Sequence, residues 1–483
     1  MKKLLLFAVA ILLIGISAFG QDAGKKDALW RRPLILAQLT DPQIGFGDWD
    51  DELERFRQEI TYLNTSDCQA VVICGDMMHF TSRKNMKFFQ QELSRLKRPV
   101  FLVPGNHDVA QMAHSRAQWL EMFGPAYYAA DIPRSDYRLV VLDTELWQHP
   151  TAETAKMDAL FLEELEKARK SGKRLVLAAH APIFVDSLDE PERYYNLPKE
   201  RRKWVLEHLV GSSVAAYLTG HTHTSFAFVW KGILFSSGDN TSVTFDRLGH
   251  GLRKIVFDGE WIRFHTIPIE KTIAATIPFL AGEPRLDGVL DEDFWKETPE
   301  FVLVRNDGKL PPEKYRTTLR VGWTKDALVV GAVCHVPKLL EPTSSIGARD
   351  DIKIFEADDV LEFFLANADW SAYRHLALDF EGHFWDTTGK KAEQAGGWNP
   401  DWKFAINRPN DSSWTAEVVI PFKELWGETD KNCVKPRKDF EWRVNFCRKQ
   451  SKVSPVLHSW SPPGFHKLHV FGKLVFKGGS DSR

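Results

Sequence analysis

Short apolar runs recur through the first half of the chain, at Leu34 to Leu39, Val71 to Cys74, Val100 to Val103, Leu175 to Ala179 and Ala215 to Leu218. Each is compact and rich in leucine or β-branched residues, which predicts buried strands. Between them the period changes to that of a helix: Leu53, Phe56, Ile60 and Leu63 share one face, as do Met86, Phe89, Leu93 and Leu96. The half therefore reads β-α-β, with loops at Gly124-Pro125 and from Pro191 to Pro198. Tyr194, Tyr195 and Asn196 in the latter loop are candidates to line a site entrance. From Gly251 to about Pro268 the pattern is that of alternating strand.

Beyond residues 269–282, which carry little pattern and read as a linker, the period is two. Leu319, Val321 and Trp323 alternate with polar neighbours. The same period-two spacing recurs at Leu361, Phe363 and Leu365, at Trp414, Ala416, Val418 and Ile420, and at Phe440, Trp442, Val444 and Phe446. Such strands, separated by Gly- and Pro-containing turns, predict an antiparallel β-sandwich over 283–478 with one face of each strand buried.

With 483 residues, 43% of them hydrophobic, the chain can bury two substantial cores. A net charge of −2 gives no bulk attraction to nucleic acid, and no basic, aromatic-lined stripe is present, so no nucleic-acid partner is expected. Arg201-Arg202 reads as a solvated helix face. Lys2-Lys3, the apolar stretch Leu4 to Ile16 and the small residues Ser17-Ala18-Phe19-Gly20 fit a cleavable signal peptide over 1–20. The expectation is a secreted or periplasmic protein with no membrane span after cleavage. Five cysteines, Cys68, Cys74, Cys334, Cys433 and Cys447, show no metal-type spacing, and only Cys433 with Cys447 suggests a pair.

Each apolar run of the first half is followed by a polar cluster: Asp41-Pro-Gln43, Gly75-Asp76, Gly105-Asn-His-Asp108, His180 and Gly220-His-Thr-His223. The clusters thus leave strands at their C-terminal ends, where ligands gather in open α/β sheets. Carboxylate, amide and imidazole donors in this number suit two divalent ions a few ångströms apart. Asp76 is the best candidate to bridge them, offering an oxygen to each. Asp41, Gln43 and His223 can complete one site, and Asn106, His180 and His221 the other. His79, His114, His208 and His250 have no such support and read as ordinary surface or packing residues.

The five clusters, in this order, resemble the signature of calcineurin-like metallophosphoesterases. That resemblance implies an α/β metallophosphoesterase sandwich with helices outside, over residues 31–268. It also implies attack by a metal-bridging hydroxide on the phosphorus of a mono- or diester, with His107 serving the leaving group, Asp108 orienting His107, and Asn106 touching metal and phosphate. The first cluster departs from the family's usual Asp-x-His. Gln43 is a harder, weaker donor than imidazole and shifts the expected pair toward manganese, magnesium or iron over zinc. The Asp-x-Gln form is similar to a branch of the family with a protein phosphatase member.

The second half is similar to family 9 carbohydrate-binding modules, through Asp287-Gly-Val-Leu-Asp-Glu-Asp-Phe-Trp295, Asp358-Asp-Val-Leu-Glu-Phe-Phe364, Trp414-Thr-Ala-Glu-Val-Val-Ile-Pro-Phe422, Trp442-Arg-Val-Asn-Phe446 and Phe471-Gly-Lys-Leu474. If it takes carbohydrate, the candidates for stacking on a sugar ring are Trp398, Trp402, Trp460 and Phe465. Asp350, Asp351, Asp358 and Asp359 read as a solvated acidic loop rather than a calcium site. The expected function is a secreted phosphoesterase with an accessory sandwich. The alternative is a non-catalytic glycan binder built on a degenerate scaffold.

Overall fold

The computed structural model describes residues 14–15, 33–259, 261–338, 347, 349–350, 352–356, 359–388, 398–427, 433–434, 436–450 and 456–478. The signal-peptide reading of 1–20 lies outside these residues apart from Ile14 and Gly15, as do Asp351 and Asp358. The chain divides into two compact units, Met1–Lys271 and Thr272–Arg483. No described helix is long and apolar enough to cross a membrane.

In the first unit, β1 (Leu34–Leu39), α1 (Trp49–Thr65), β2 (Ala70–Cys74), α2 (Arg83–Leu93) and β3 (Val100–Val103) follow the predicted order. β1, β2 and β3 pair in parallel, and the antiparallel strands β10 (His250–Asp258) and β11 (Trp261–Ile269) extend that sheet past β1. A second sheet runs in the order β4 (Tyr128–Asp131), β5 (Tyr137–Val141), β6 (Arg174–Ala178), β7 (Val214–Thr219), β9 (Ile233–Ser237), β8 (Phe226–Trp230).

Leu36, Val72 and Val103 from the first sheet meet Leu139, Val176 and Leu218 from the second in a shared core. The outer face of the first sheet is covered by Phe56, Ile60 and Phe89 of α1 and α2. That of the second is covered by Phe161 of α6 (Ala152–Ser171) and Val205 of α7 (Lys199–Leu209). The layers are therefore helix, sheet, sheet, helix. Strands buried on both faces explain why these runs are continuously apolar instead of alternating. The helix starts are locally encoded: Asp48 caps α1 by accepting from Asp51 N at 2.9 Å, and Gly172 ends α6 in the left-handed conformation. Arg202 is not solvated. It is buried in α7, where it donates to the carbonyls of Leu188, Glu190 and Leu197, while Arg201 pairs with Asp158.

The second unit is all-β apart from short helical turns. One sheet runs β12 (Ala274–Pro278), β24 (Gly472–Lys477), β22 (Glu441–Gln450), β17 (Asp359–Ala366), β18 (Tyr373–Asp379), β19 (Phe384–Thr388). The other runs β13 (Glu300–Val302), β15 (Thr317–Trp323), β16 (Ala327–His335), β21 (Ser413–Pro421), β20 (Lys403–Asn410). All these pairings are antiparallel except β12 with β24. Segment 269–282 is thus not a bare linker, because β12 within it completes a sheet of this unit. The alternating residues Leu319, Val321, Leu361, Phe363, Val418, Trp442 and Phe446 fill the common core.

Three of the four aromatic candidates for sugar stacking belong to these interiors: Trp402 and Trp460 are each 5% exposed and Phe465 9% exposed. Trp398 is half-buried against the same core, with its Nε1 donating to Glu424 O and the Arg374 guanidinium over its ring. Period-two alternation marks which face is buried, but a loop tryptophan carries no such phase, and here the loops fold their rings inward. Nor is Asp359 a solvated acid. It lies buried in β17, where Arg448 of β22 grips both its oxygens at 2.6 and 2.5 Å and Trp414 Nε1 donates at 2.8 Å. Among the described residues no disulfide links the cysteines.

Candidate active site

The parallel strands of the first unit aim their C-terminal ends at one place. Asp41 and Gln43 follow β1, Asp76 follows β2, and Asn106 and His107 open the short turn α3 (Asn106–Val109) after β3. His180 follows β6, and His221 and His223 follow β7. Asp76, His180 and His221 place ligand atoms within 4.8 Å of one another. Asp76 reaches in two directions, with Oδ2 at 3.3 Å from His180 Nε2 and 3.5 Å from Gln43 Nε2. Asp41 Oδ1 lies 3.8 Å from His223 Nε2 and 4.0 Å from His180 Nδ1, and Asn106 Oδ1 lies 3.1 Å from His180 Nε2. Asp76 thus lies between Gln43 of one predicted ligand group and His180 of the other.

The backbone is bent to achieve this. Asp41, Gln43, Asp76, His221 and His223 all have positive φ, at 47°, 33°, 49°, 68° and 50°. Such conformations cost roughly 1–3 kcal/mol each and persist only where the surroundings impose them, typically at functional sites. Two glycines make room. A Cβ on Gly75 would lie 2.0 Å from His180 Nδ1, and one on Gly105 would lie 2.1 Å from Asp76 Oδ1.

The donor set fits divalent metal. His180 Nδ1 lies 2.9 Å from Cys74 O, His223 Nδ1 2.7 Å from Val243 O, and His221 Nε2 3.2 Å from Tyr194 O. Each ring therefore donates one N–H to a backbone carbonyl, which fixes the other nitrogen as a lone-pair ligand. Gln43 Oε1 is buried with no hydrogen-bond partner, an orphaned acceptor of the kind a cation satisfies. Burial opposes ionisation of Asp76, but the imidazoles of His180, His107 and His221 outweigh it and hold this carboxyl well below the usual range. For Asp41 burial prevails over His223 and His180, and the pKa is raised. Burial also disfavours charge on His180, yet Asp76 and Asp41 push it up to about 10, while burial and then His180 push His221 down to about 3. A proton shared among buried carboxylates and imidazoles is what a metal ion displaces on binding.

His107 sits beside this cluster, its backbone N–H donating to Asp76 Oδ1 at 3.0 Å. Its ring is not oriented by Asp108. Nδ1 lies 2.7 Å from His79 O and 2.9 Å from Gln111 Nε2, so Nδ1–H donates to His79 O and Nε2 remains for proton exchange. Asp108 turns inward, where Oδ2 accepts from Gly105 N at 2.9 Å and Oδ1 from Met77 N at 3.0 Å, tying together the loops that carry Asp76 and Asn106. Burial, with Asp76 nearby, pushes it up to about 8.

Of the predicted entrance residues, Tyr194 is at the site: its hydroxyl accepts from Asn106 Nδ2 at 2.8 Å and its ring lies 4.8 Å from that of His221. Asn196 is buried and binds Glu190, Pro191 O and Arg193 N instead. His250 contacts Asn240 O and takes no place in the cluster. Sequence reasoning missed His79, Gln111 and Glu145. His79 carries His107 through its carbonyl, which no side-chain pattern encodes. Glu145 follows β5, another strand end on the same edge, and that placement was the available signal.

Residues 35–225 match the model of the calcineurin-like phosphoesterase family. A serine/threonine-protein phosphatase CPPED1 from Pongo abelii is 26% identical over 268 residues, covering 49% of this chain and 84% of that protein. Among solved structures, a dimetal phosphatase from Danio rerio is 14% identical, covers 48% of this chain and 99% of that one, and has a TM-score of 0.36. A family 9 carbohydrate-binding module from Caldicellulosiruptor kristjanssonii, in complex with cellotriose, is 18% identical, covers 43% and 95%, and has a TM-score of 0.32. The five clusters all fall within the residues that match this family model, and that match together with the phosphatase relatives makes this chain a metal-dependent phosphoester hydrolase.

Proposed function

We propose that the chain is an exported phosphoesterase working with two divalent ions, one held by Asp41, Gln43, Asp76 and His223 and the other by Asp76, Asn106, His180 and His221. The observation that carries this reading is the position of Asp76, whose Oδ2 lies within reach of both Gln43 and His180. Bound there, such ions would activate water near neutral pH and neutralise phosphoryl charge. The chain's own residues do the rest. His107, held at Nδ1 by His79 O, presents Nε2 for proton transfer to the leaving oxygen. Asp108 keeps the loops of Asp76 and Asn106 in register, and Tyr194 closes the side of the site next to Asn106. Export rests on the N-terminal sequence pattern, and it favours small phosphate esters over intracellular phosphoproteins. No glycan site is assigned to the second unit, because Trp402, Trp460 and Phe465 are packed into its interior and the half-buried Trp398 ring is covered by Arg374.

The test is hydrolysis of an aryl phosphate monoester and an aryl phosphodiester in manganese, zinc and chelator, by the full chain and by Asp76→Asn. Chelator-sensitive turnover that falls at least 100-fold in Asp76→Asn is expected. Turnover that survives both treatments would overturn the assignment.

A further inference from the structure

Next to the metal ligands lies a pocket of about 230 Å³, lined among others by Asn106, Glu145, Gln148, His149, Arg193 and Tyr194. This is below the roughly 300 Å³ at which drug-sized ligand sites begin, a volume that suits one small ring. Glu145 heads α5 (Glu145–Gln148), directly after β5, and only 7% of it is exposed. Its backbone is fixed, since its N–H donates to Asp143 Oδ1 at 3.1 Å and Asp143 is itself paired with Arg116. Among the described residues its carboxylate has neither a hydrogen-bond donor nor an ion-pair partner. The carboxylate reaches solvent only through this pocket, so a ligand that displaces the water there must supply donors in its place. Every other acid of the site has its donors: Asp41 from His221 N, Asp76 from His107 N, Asp108 from Gly105 N and Met77 N.

We propose that Glu145 selects the alcohol portion of the substrate by accepting hydrogen bonds from its hydroxyl groups, so that the preferred substrates are phosphate esters of sugars or comparable small polyols. The inference rests on the phosphoester hydrolysis proposed above and specifies its substrate class. Two carboxylate oxygens match the paired O–H donors of a vicinal diol, and charge-assisted hydrogen bonds of this kind are the strong ones. The remaining lining suits the same ligand, since Gln148, His149 and Tyr194 offer donors and acceptors in a pocket shared with the metal ligand Asn106. A second phosphate would meet the charges of Glu145 and of Glu192, which also lines this pocket, and a flat aromatic alcohol would leave the Glu145 carboxylate without donors. Sites built to hydrogen-bond a hydroxyl reject analogues that lack it for this last reason.

The experiment compares kcat/KM for a hexose 6-phosphate with that for phenyl phosphate, using metal-loaded full-length wild type, Glu145→Gln and Glu145→Ala. The metal content of each is measured in parallel. The wild type is expected to favour the hexose ester. The ratio of the two kcat/KM values should fall at least tenfold in Glu145→Ala and less in the isosteric Glu145→Gln, chiefly through KM, at wild-type metal content. An unchanged ratio in either folded variant would overturn the inference, as would loss of metal, which would make Glu145 a support of the metal site. Wild-type turnover of phenyl phosphate with none of hexose phosphate would also refute it while leaving the hydrolase reading intact. Turnover of neither, with an aryl phosphodiester also left intact, would refute both.

Discussion

Replacing Gly75 by alanine isolates the geometric demand of the metal site. Gly75 has φ +89°, and a Cβ there would stand 2.0 Å from His180 Nδ1, 2.6 Å from its Cγ and 2.8 Å from its Cε1. Ordinary contact begins near 3.4 Å, so the imidazole must retreat by about 1.4 Å. That movement breaks its 2.9 Å bond to Cys74 O and shifts Nε2 away from Asp76 and Asn106. A misplacement of about 1 Å in catalytic machinery costs on the order of 100-fold in rate. The left-handed backbone adds roughly 1–2 kcal/mol of strain for a residue with a Cβ. Gly211→Ala supplies the control: φ there is +70°, but nothing lies within 4 Å of the new Cβ. Both variants should lower the melting temperature of the first unit by a few degrees. Only Gly75→Ala should lose metal and at least 100-fold in turnover of an aryl phosphate, measured by elemental analysis and steady-state kinetics. A Gly75→Ala protein with full metal content and turnover within about threefold of wild type would refute the claim that His180 is a ligand held by this close approach.

Other consequences follow from named contacts. Asp359→Asn leaves the Arg448 guanidinium buried without its counter-charge and should destabilise the second unit by about 3–5 kcal/mol in denaturant unfolding; a loss under 1 kcal/mol would show that the pair is not buried in solution. Glu59 is buried against the Thr241 hydroxyl, and burial pushes it from 4.5 up to about 8. The folded state therefore keeps the proton that the unfolded state releases first, and stability falls as pH rises from 4.5 to 8. At about 1.36 kcal/mol per unit the fall is at most ~5 kcal/mol. Glu59→Gln should flatten that stretch of the pH profile of melting temperature, and an unaltered profile would contradict the assignment. Gln43→His replaces a buried amide oxygen by imidazole and should raise affinity for zinc relative to manganese in competition assays; unchanged selectivity would count against Gln43 as a ligand.

The legible features were those that physical periodicity encodes. Leu53, Phe56, Ile60 and Leu63 are all buried on one face of α1, as their spacing required. Leu361, Phe363 and Leu365 likewise fall on the inner face of β17. The placement of polar clusters after apolar runs brought Asp41, Gln43, Asp76, Asn106, His180, His221 and His223 to one edge, because parallel strands share a C-terminal end. What the sequence hid depends on contacts distant along the chain. The partner of His107 is the carbonyl of His79, and backbone atoms leave no side-chain signature. Asp359 looked like part of an acidic loop because its neutralising Arg448 lies on another strand. Trp402 and Trp460 looked exposable because loop residues lack a phase that reveals their direction. Glu145 escaped notice because Asp-Thr-Glu has no distinctive donor spacing, and only the fold shows it buried at the strand edge.

The most direct test of the account is the number of metal ions bound per chain, by elemental analysis of purified full-length protein and of Asp76→Asn. Two ions in the wild type, with at most one retained in Asp76→Asn, is the result expected of a bridging carboxylate. A wild type that saturates at one ion, or an Asp76→Asn protein that still holds two, would contradict it.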